Sequence, residues 1–552
     1  MSKRLRLPAI GVLAAVIYAW GMAVHPVHNY YASAVRSMAG SWRAFLFGAF
    51  DPQGSITLDK IPGGFWPQSL SVRIFGFHDW SVALPGVVEA VLTVLVLHRV
   101  VARWAGETAG LLAALTMTLT PVAAALAKSE IVDTPLTLLL VLAAGVWQRA
   151  VFEDRLRSLL ACGMWVGLAF QVKMLQAWVV LPVFAAVYLI AAPVRRWLHL
   201  LAAGAVCLAV SSTWLLVALL TPADSRPYFD ATADNNPLGM VFGYNAASRL
   251  HGKGFLVLLT DRTAPQVGWL LPVCLLAIVL GLLWTRGVAR SGFVLWGLWL
   301  VVHVAAFGIG DFRHSYYVVV LAPAVAALTG GGLVLFWRVR DRHRWVLPTA
   351  ILLTAAWAVV LPARPILPQV APLAAVLAVF GVLALLAAKS SRLTAVGGVV
   401  GLVAILITPA AWTLSTDARV ATADAASPAA GAPHRKPHGV STKDEEMLSW
   451  LRANSGGTRY LMAVDGAGSA AAIIAHTGAS VLPMGGFTGQ TPFPTTTQFL
   501  DLIRDGALRY VRGDVHTPAR TVAETNVNWA AEHCPLVRER LYDCGVKTSG
   551  LR

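Results

Sequence analysis

The sequence predicts a mostly α-helical polytopic membrane protein, with about thirteen transmembrane helices and a small C-terminal extracytoplasmic α/β domain. Composition is the first reason: the 552 residues are 57% hydrophobic and 13% charged, whereas a soluble protein carries about 25% charged residues. Pattern is the second: apolar runs long enough to cross roughly 30 Å of hydrocarbon recur along the first 413 positions. The third is that shorter strand-like and helix-like segments alternate beyond those runs, which is typical of a small α/β domain.

The helices are predicted at 8–24, 81–98, 108–127, 134–150, 158–172, 176–193, 199–220, 267–284, 291–308, 316–336, 345–361, 370–388 and 393–413. With these boundaries, every short connection on one side of the membrane is basic. Short basic loops face the cytoplasm, so the N-terminus is expected inside and residues from 414 onward outside the plasma (inner) membrane. The basic residues that set this orientation include Lys3, Arg4, Arg6, Arg99, Arg103, Arg149, Arg155, Arg157, Arg195, Arg196, Arg286, Arg290, Arg338, Arg340, Lys389 and Arg392.

Three domains are predicted along the chain: a transmembrane domain at 1–413, a linker at 414–442 rich in Ala, Pro, Thr and Asp, and a C-terminal α/β domain at 443–552. Strands are expected at 459–464, 480–483 and 508–511. The Gly-rich segment 481–489 (VLPMGGFTG) could bind phosphate, but a plain turn is favoured. Cys534 and Cys544 could form a disulfide if this domain lies outside the cytoplasm.

The net charge of +16 does not indicate nucleic-acid binding. The basic residues are distributed one loop at a time and form no patch. That distribution is expected for the cytoplasmic flanks of membrane helices. Nucleic acid is therefore excluded as a partner.

The first outer loop carries acids and a lysine close to the membrane surface. Asp51 is followed by the Asp59-Lys60 pair. An adjacent acid and lysine can hold a phosphate and accept a proton from an attacking hydroxyl. A solvated loop with an incidental ion pair is the alternative.

Further charged residues lie in the next outer loops. Lys128, Glu130 and Asp133 stand between two apolar helices, and Lys173 ends the fifth helix. Charges in this setting are costly and usually functional, although helix capping by Asp133 and snorkelling by Lys173 are simpler explanations. Together these acids and lysines predict a common site for a phosphorylated membrane lipid. His314, Tyr316 and Tyr317 open the tenth helix, where aromatic anchoring is the alternative role.

The chain resembles the GT-C membrane glycosyltransferases, and specifically the bacterial branch of glycosyltransferase family 39. Relatives in that family include protein O-mannosyltransferases and aminoarabinose transferases. The resemblance keeps its order along most of the chain. It rests on residues 30–38 (YYASAVRSM), 47–52 (FGAFDP), 59–60 (DK), Asp133 with Leu136, 173–177 (KMLQA), 242–245 (FGYN), 314–317 (HSYY) and 484–489 (MGGFTG).

The resemblance implies transfer of a hexosyl or pentosyl unit from a polyprenyl-phosphate-linked donor to an acceptor in the cell envelope (a glycan, lipid or protein). It implies that Asp59 helps to bind a divalent metal ion or orients the acceptor, that Asp133 matches the acid opening the fourth helix, and that Lys60 and Lys173 hold the donor phosphate. Because His28 and Asn29 stand where many relatives have an acid, Asp51 is a further candidate for the base. The candidate catalytic residues are Asp51, Asp59 and Asp133, the candidate metal ligands are Asp59 and Asp133, and the candidate substrate-binding residues are Lys60, Lys173, Arg36, Glu130, Tyr244, Asn245, His314 and Tyr317.

Two other functions compete with sugar transfer. The first is a membrane transporter or lipid flippase. Transporters place their charges and broken helices near the membrane midplane, whereas here the charges lie at the outer surface. The second is a non-catalytic scaffold that displays the C-terminal domain, and it would not require the acids of loop one.

Overall fold

The structure is a computed structural model that describes residues 5–23, 27–191, 197–249, 254, 258–310, 314–361, 368–415 and 439–545. Most of the predicted linker at 414–442 lies outside the described residues. So do Lys3, Arg4, Arg195 and Arg196, on which part of the predicted orientation depends.

Helices dominate the part of the chain expected in the membrane. They are Arg6–Ala19, Asn29–Gly40, Trp42–Phe47, Trp66–Phe75, Asp79–Ala105, Glu107–Thr118, Pro121–Ala127, Asp133–Phe152, Leu156–Lys173, Leu181–Ala191, Trp197–Leu220, Ala264–Val267, Leu271–Trp284, Gly287–Ile309, Ala322–Arg338, Val346–Val360, Val370–Leu386 and Ser391–Leu414. Short 3₁₀ or π segments at Pro62–Phe65, Met174–Val180, Ala223–Ser225, Gly239–Tyr244, Ala247–Arg249, Gly268–Leu270 and Ser315–Leu321 connect or extend them.

The helices confirm a polytopic membrane protein. Among the described residues, eight helical segments are long and apolar enough to cross a membrane. A ninth arises if Glu107–Thr118 and Pro121–Ala127 form one span, with a bend of 63° between them. Pro121 explains this break, because it occupies the first turn of the second helix and cannot continue the helix before it. Arg6–Ala19, Val346–Val360 and Val370–Leu386 are shorter apolar helices.

Small residues let these helices approach closely. A Cβ atom on Gly163 would lie 2.2 Å from the carbonyl oxygen of Ala203, and one on Gly330 would lie 2.3 Å from that of Ala109. Lipid supplies no hydrophobic force between helices, so close backbone packing is what stabilises their association. The Ser315–Arg338 segment is the most enclosed of the candidate spans, because 89% of an apolar stretch of 18 residues within it is buried.

Two compact units divide the chain, and each is drawn from separate stretches of sequence. The membrane unit contains residues 1–25, 83–211 and 249–435, and the loop unit contains residues 26–82, 212–248 and 436–552. The first outer loop (loop one, residues 26–82), the second long loop with the helix end before it (residues 212–248) and the C-terminal part (residues 436–552) therefore share one unit. The predicted domain boundaries at 413 and 443 stay a prediction.

The C-terminal part of the loop unit is built on a five-stranded sheet. Its strands are Met462–Asp465, Val481–Met484, Tyr510–Arg512, Leu536–Arg538 and Leu541–Asp543, in the order second, first, third, fifth, fourth. The first strand pairs in parallel with the second and third, and the remaining pairs are antiparallel. The helices of this part are Thr442–Asn454, Gly466–Thr477, Thr496–Arg504 and Val522–His533. Capping boxes begin the last two, at Thr495 with Gln498 and at Thr521 with Glu524.

Loop one begins with a helix that is packed rather than exposed. Eight residues of Asn29–Gly40 are buried, and the helix lies against Gly466–Thr477 in the same unit. Arg36 secures this contact, since its Nη1 donates to the carbonyl oxygen of Ala475 at 2.7 Å. The first loop and the C-terminal part are thus joined by direct packing within the loop unit.

Candidate functional site

The backbone of Asp59 is held from both sides. Its amide donates to the Tyr30 hydroxyl at 3.1 Å, and its carbonyl oxygen accepts from Asn245 Nδ2 at 2.7 Å. Asn245 also donates to the carbonyl oxygen of Met240, at 2.9 Å. These bonds fix the position of Asp59, although its partners are distant in sequence.

The side chains of Asp59 and Lys60 form an ion pair beside two tyrosines. Asp59 Oδ1 lies 3.4 Å from Lys60 Nζ, and Lys60 Nζ donates to the Tyr31 hydroxyl at 2.7 Å. The carboxylate is almost fully buried, whereas 16% of the lysine side chain is exposed. A partly exposed ammonium in an apolar surround attracts an anion more strongly than a solvated one does. The pair therefore offers both a cation for phosphate and a carboxylate for a proton.

Asp51 has a different environment, because its carboxylate organises the loop that contains it. Oδ1 accepts from the amide and hydroxyl of Ser55 at 2.8 and 2.7 Å and from the amide of Ile56 at 3.2 Å, and Oδ2 accepts from the amide of Gln53 at 3.0 Å. Burial raises the pKa of Asp51 despite these bonds. A carboxylate committed to four donors in its own loop acts as a structural cap.

Asp230 is a buried acid that the sequence did not single out. Its Oδ1 accepts from the Thr491 hydroxyl at 2.6 Å and from the Ala231 amide at 2.7 Å, and its Oδ2 accepts from the Phe487 amide at 2.8 Å. The Asp230 amide donates to Thr57 Oγ1 at 3.1 Å. Burial raises the pKa of Asp230 to about 6, although the hydrogen bonds from Thr491 and Phe487 oppose that shift. Asp230 thus connects loop one, the second long loop and the C-terminal part.

The Gly-rich segment packs closely against Asp230. Gly485 and Gly486 both have positive φ angles, of 81° and 63°. A Cβ atom on Gly486 would lie 2.0 Å from Asp230 Oδ1. Glycine is therefore needed here both for the backbone conformation and for the close approach. The amide of Phe487 is directed at a carboxylate of this chain, which fits the interpretation of the segment as a turn rather than a phosphate loop.

In the membrane unit, Asp133 and Lys173 form a buried ion pair. Lys173 Nζ lies 2.6 Å from Oδ1 and 2.5 Å from Oδ2 of Asp133. The side chain of Asp133 is fully buried and 14% of that of Lys173 is exposed. Lys173 is the last residue of its helix, and the chain then continues as the 3₁₀ segment Met174–Val180. Snorkelling and simple capping do not describe this geometry, since both charges are directed at each other.

Aromatic rings surround the ammonium of Lys173. Its Nζ lies 4.1 Å from the ring centroid of Tyr317 and 5.4 Å from that of Tyr316. His314 stacks on Tyr316 with a centroid separation of 5.2 Å. Tyrosine faces stabilise a cation, so the predicted residues of the tenth helix and Lys173 are brought together in this unit.

The remaining predicted residues are dispersed. Lys128 and Glu130 are both buried in the membrane unit, where they precede the Asp133–Phe152 helix. Arg36 binds a backbone carbonyl of the C-terminal part, as described above. Tyr244 lines a cleft in the loop unit with residues of the Gly-rich segment.

The predicted metal ligands do not form a metal centre in the part of the chain that the structure describes, where no three His, Cys, Asp or Glu side chains group as possible ligands. Asp59 and Asp133 are each paired with a lysine, whose ammonium occupies the place of a cation. The donor set around these two acids does not fit a metal ion, so we derive no step that involves one.

Comparison with known proteins shows which families the sequence resembles. Residues 59–217 match the family described as "Dolichyl-phosphate-mannose-protein mannosyltransferase", and residues 447–533 match "Putative mannosyltransferase YkcB-like, C-terminal". The first match begins at Asp59 and includes Lys60, Asp133 and Lys173. Two proteins of Bacillus subtilis (strain 168) are each 28% identical to this chain: "Putative mannosyltransferase YkcB", over 88% of this chain and 85% of its own, and "Putative mannosyltransferase YycA", over 88% and 87%.

Two solved structures share the fold. ArnT from Cupriavidus metallidurans bound to undecaprenyl phosphate has a TM-score of 0.52 at 17% identity, and the match covers 100% of this chain and 99% of that one. The oligosaccharyltransferase AglB from Archaeoglobus fulgidus, in complex with an inhibitory peptide and a dolichol-phosphate, has a TM-score of 0.53 at 12% identity, over 92% of this chain and 69% of that one. The sequence matches favour sugar transfer over the transporter, flippase and scaffold alternatives. Both family matches and these relatives agree, and they make the chain similar to bacterial membrane glycosyltransferases of the GT-C class, of the family 39 type.

Proposed function

We propose that this protein transfers a hexosyl unit from a polyprenyl-phosphate-linked donor to an acceptor hydroxyl on the extracytoplasmic side of the inner membrane. The observation that carries the proposal is the Asp59–Lys60 pair, where a buried carboxylate and a partly exposed ammonium lie 3.4 Å apart. The names of the Bacillus relatives support a mannosyl unit. The polyprenyl phosphates bound to ArnT and AglB support the class of donor lipid.

In the proposed mechanism Asp59 is the general base. The acceptor oxygen attacks the anomeric carbon as its proton passes to the Asp59 carboxylate, and the bond from that carbon to the phosphate oxygen breaks. The leaving phosphate keeps the electron pair, and a single displacement of this kind inverts the anomeric centre. Lys60 stabilises the charge that develops on the phosphate, because its ammonium is fixed beside Tyr31 before the reaction starts.

The hydrogen bonds to Asp59 support this assignment. Asn245 and the Tyr30 hydroxyl hold its backbone in place, and the ion pair with Lys60 at 3.4 Å holds its carboxylate beside the proposed phosphate ligand. Preorganised catalytic groups of this kind lower the cost of reaching the transition state. Asp51 is the weaker candidate for the base, since four donors in its own loop already occupy its carboxylate.

In the membrane unit we propose that Lys173 contributes a second cation for lipid phosphate, with Asp133 and Tyr317 holding its ammonium in place. His314 stacks on the ring of Tyr316, which lies 5.4 Å from the same ammonium. Lys128 and Glu130 are proposed to shape the same unit next to Asp133. Each of these assignments concerns the membrane unit by itself.

The topology is also part of the proposal. Thirteen spans with a cytoplasmic N-terminus would place the short basic loops of the sequence on the cytoplasmic side, where such loops are expected. Cys534 and Cys544 are disulfide-bonded, and disulfides persist in oxidising compartments. In intact cells, an impermeant maleimide should label these cysteines only after reduction with an impermeant phosphine. Labelling that requires permeabilised cells would place the C-terminal part inside.

The test of the donor site is native mass spectrometry of the purified protein. The wild type should retain a polyprenyl-phosphate lipid, and Lys60→Ala should lose it. Lys443→Ala is the matched control, because Lys443 is a lysine of the loop unit with 87% of its side chain exposed. If Lys60→Ala retains the lipid as fully as Lys443→Ala does, Lys60 does not bind the donor phosphate.

The test of the base is transfer by Asp59→Asn, compared with Asp505→Asn, which changes an exposed acid of the same unit. Asp59→Asn should keep the donor lipid and lose sugar transfer by a factor of about 10² to 10⁴, the usual contribution of a general base. Normal transfer by this variant would remove Asp59 from the mechanism.

A further inference from the structure

A cleft of about 350 Å³ opens in the loop unit between the second long loop and the Gly-rich segment. The second long loop contributes Ala231, Thr232, Ala233 and Tyr244 to the lining, and the C-terminal part contributes Thr488, Gln490 and Thr491. Its volume falls in the range of small-molecule sites, which begins at about 300 Å³. The cleft is therefore large enough for a small organic group.

The walls of the cleft are uncharged, and most of their surface is apolar. Three threonines, one glutamine, one tyrosine and two alanines line it, and no Asp, Glu, Lys or Arg is among its described lining residues. A phosphate binds where cationic side chains or helix N-termini are present, so the donor phosphate does not suit these walls. A tyrosine ring beside hydroxyl and amide groups suits a neutral ligand that carries many hydroxyls, namely a saccharide.

On each side of the cleft, a residue next to the lining contacts Asp59 or the tyrosine that binds its amide. On one side, Asn245 follows Tyr244 and donates to the Asp59 carbonyl oxygen at 2.7 Å. On the other side, the ring of Phe487 packs on that of Tyr30, with 4.6 Å between centroids, and the Tyr30 hydroxyl accepts from the Asp59 amide. Residues next in sequence to the lining residues Tyr244 and Thr488 therefore help to position the proposed base.

The wall contributed by the C-terminal part is fixed rather than loosely placed. Thr491 donates to Asp230 at 2.6 Å and accepts from the Ala231 amide at 3.1 Å, so these bonds cross from one wall of the cleft to the other. The Gln490 amide donates to Thr488 Oγ1 at 3.2 Å. A preformed wall binds a ligand without the entropic cost of ordering it first.

We infer that this cleft binds the saccharide end of the acceptor, and that Thr488 and Gln490 determine which acceptor is used. This inference rests on the proposed function and assigns the acceptor subsite within it. The C-terminal part is then a component of the acceptor site, in addition to its packing role.

The cysteine content of the chain allows a direct test that needs no donor. All five cysteines are accounted for, since Cys162, Cys207 and Cys274 are buried and Cys534 is bonded to Cys544. Gln490→Cys therefore introduces an accessible thiol at the cleft. Glu532→Cys introduces one on the exposed face of the Val522–His533 helix, away from the lining residues, and is the matched control.

The measurement is the rate of maleimide labelling of each variant in the purified full-length protein. The probes are the methyl glycosides of the common hexoses, with inorganic phosphate as the anionic comparison. We expect at least one glycoside to slow labelling of Gln490→Cys by the factor 1 + [L]/Kd, which is about threefold at twice Kd. Phosphate should not slow it, and labelling of Glu532→Cys should not change.

Two results would overturn the inference. If no glycoside protects Gln490→Cys, or if both thiols slow equally, the cleft is not a saccharide site. If phosphate protects it instead, the Gly-rich segment binds anions. The proposed function would fail in other experiments, namely if Lys60→Ala kept the donor lipid or if Asp59→Asn transferred sugar normally. Neither of those results changes the labelling rate of Gln490→Cys.

Discussion

Oδ1 of Asp230 lies 2.6 Å from the hydroxyl of Thr491, although 261 residues separate them in sequence. The bond is buried and joins the second long loop to the C-terminal part. Because Phe487 donates to the other carboxylate oxygen, Asp230 holds the Gly-rich segment at Phe487 and the chain just after that segment at Thr491. The stability of this segment should therefore depend on residues that have no chemical role in sugar transfer.

Gly486→Ala should destabilise the loop unit more than Gly489→Ala does. Both glycines have positive φ angles, of 63° and 74°, which cost a residue with a Cβ roughly 1–2 kcal/mol. At Gly486 the new Cβ would also meet Asp230 Oδ1 at 2.0 Å, whereas nothing lies within 4 Å at Gly489. Thermal unfolding followed by intrinsic fluorescence measures the difference. Equal losses in the two variants would show that the contact with Asp230 is not maintained.

The pH dependence of stability should report the burial of Asp230. Its pKa is about 6 in the folded chain against 3.8 as the ordinary value, so the folded state favours the protonated carboxyl. This contribution to stability is fully present below pH 3.8 and is lost as the pH rises through about 6. The total change is about 3 kcal/mol, at 1.36 kcal/mol per pKa unit.

Asp230→Asn removes this titration and provides the measurement. The difference in the melting temperature between wild type and variant, followed from pH 4.5 to 7.5, should shift in favour of the variant as the pH rises. Asp505→Asn is the control, since that carboxyl is exposed. A difference that does not vary with pH would mean that Asp230 is ionised throughout this range.

The sequence predicted local features of the candidate site well and distant contacts poorly. Asp59 and Lys60 are neighbours in the chain, and Lys173 stands where an apolar helix ends, so the pattern alone marks them. An α-helix ends at Lys173, as the pattern predicts, but the apolar segment Leu156–Ile190 continues through Met174–Val180 as one candidate span instead of two. These features depend on residues within a few positions of each other.

Asp230 escaped prediction because its environment is formed by residues far away in sequence. Its contacts with Thr57 and Thr491 span 173 and 261 residues. Nothing in the neighbouring Ala231 and Thr232 distinguishes it from an ordinary loop acid. The sequence also left the role of Asp51 open. Its four hydrogen bonds all lie within residues 51–56, but they depend on a turn that the sequence pattern does not specify.

Asp51→Asn and Asp59→Asn should separate stability from chemistry. Asparagine at 51 loses one of the two oxygens that accept from Gln53, Ser55 and Ile56, so the variant should lose roughly 1–3 kcal/mol of stability. The fraction that stays folded should transfer sugar at close to the normal rate. Asp59→Asn removes the carboxylate beside Lys60 and should also cost some stability, but the fraction that stays folded should transfer little sugar. Loss of transfer by folded Asp51→Asn would make Asp51 the base.

The Asp133–Lys173 pair should respond asymmetrically to single substitutions. Lys173→Gln leaves a carboxylate that is fully buried, whereas Asp133→Asn leaves an ammonium whose side chain is 14% exposed. Breaking a buried pair costs about 3–5 kcal/mol, so we expect Lys173→Gln to approach that range and Asp133→Asn to cost less. In the double variant no unbalanced charge remains, and its melting temperature should recover most of the loss.

The activity of that double variant then distinguishes two roles of Lys173. If the lysine only balances Asp133, the recovered protein should transfer sugar normally and retain the donor lipid in native mass spectrometry. If it binds lipid phosphate, the recovered protein should be folded but should lose lipid retention, because glutamine supplies no positive charge.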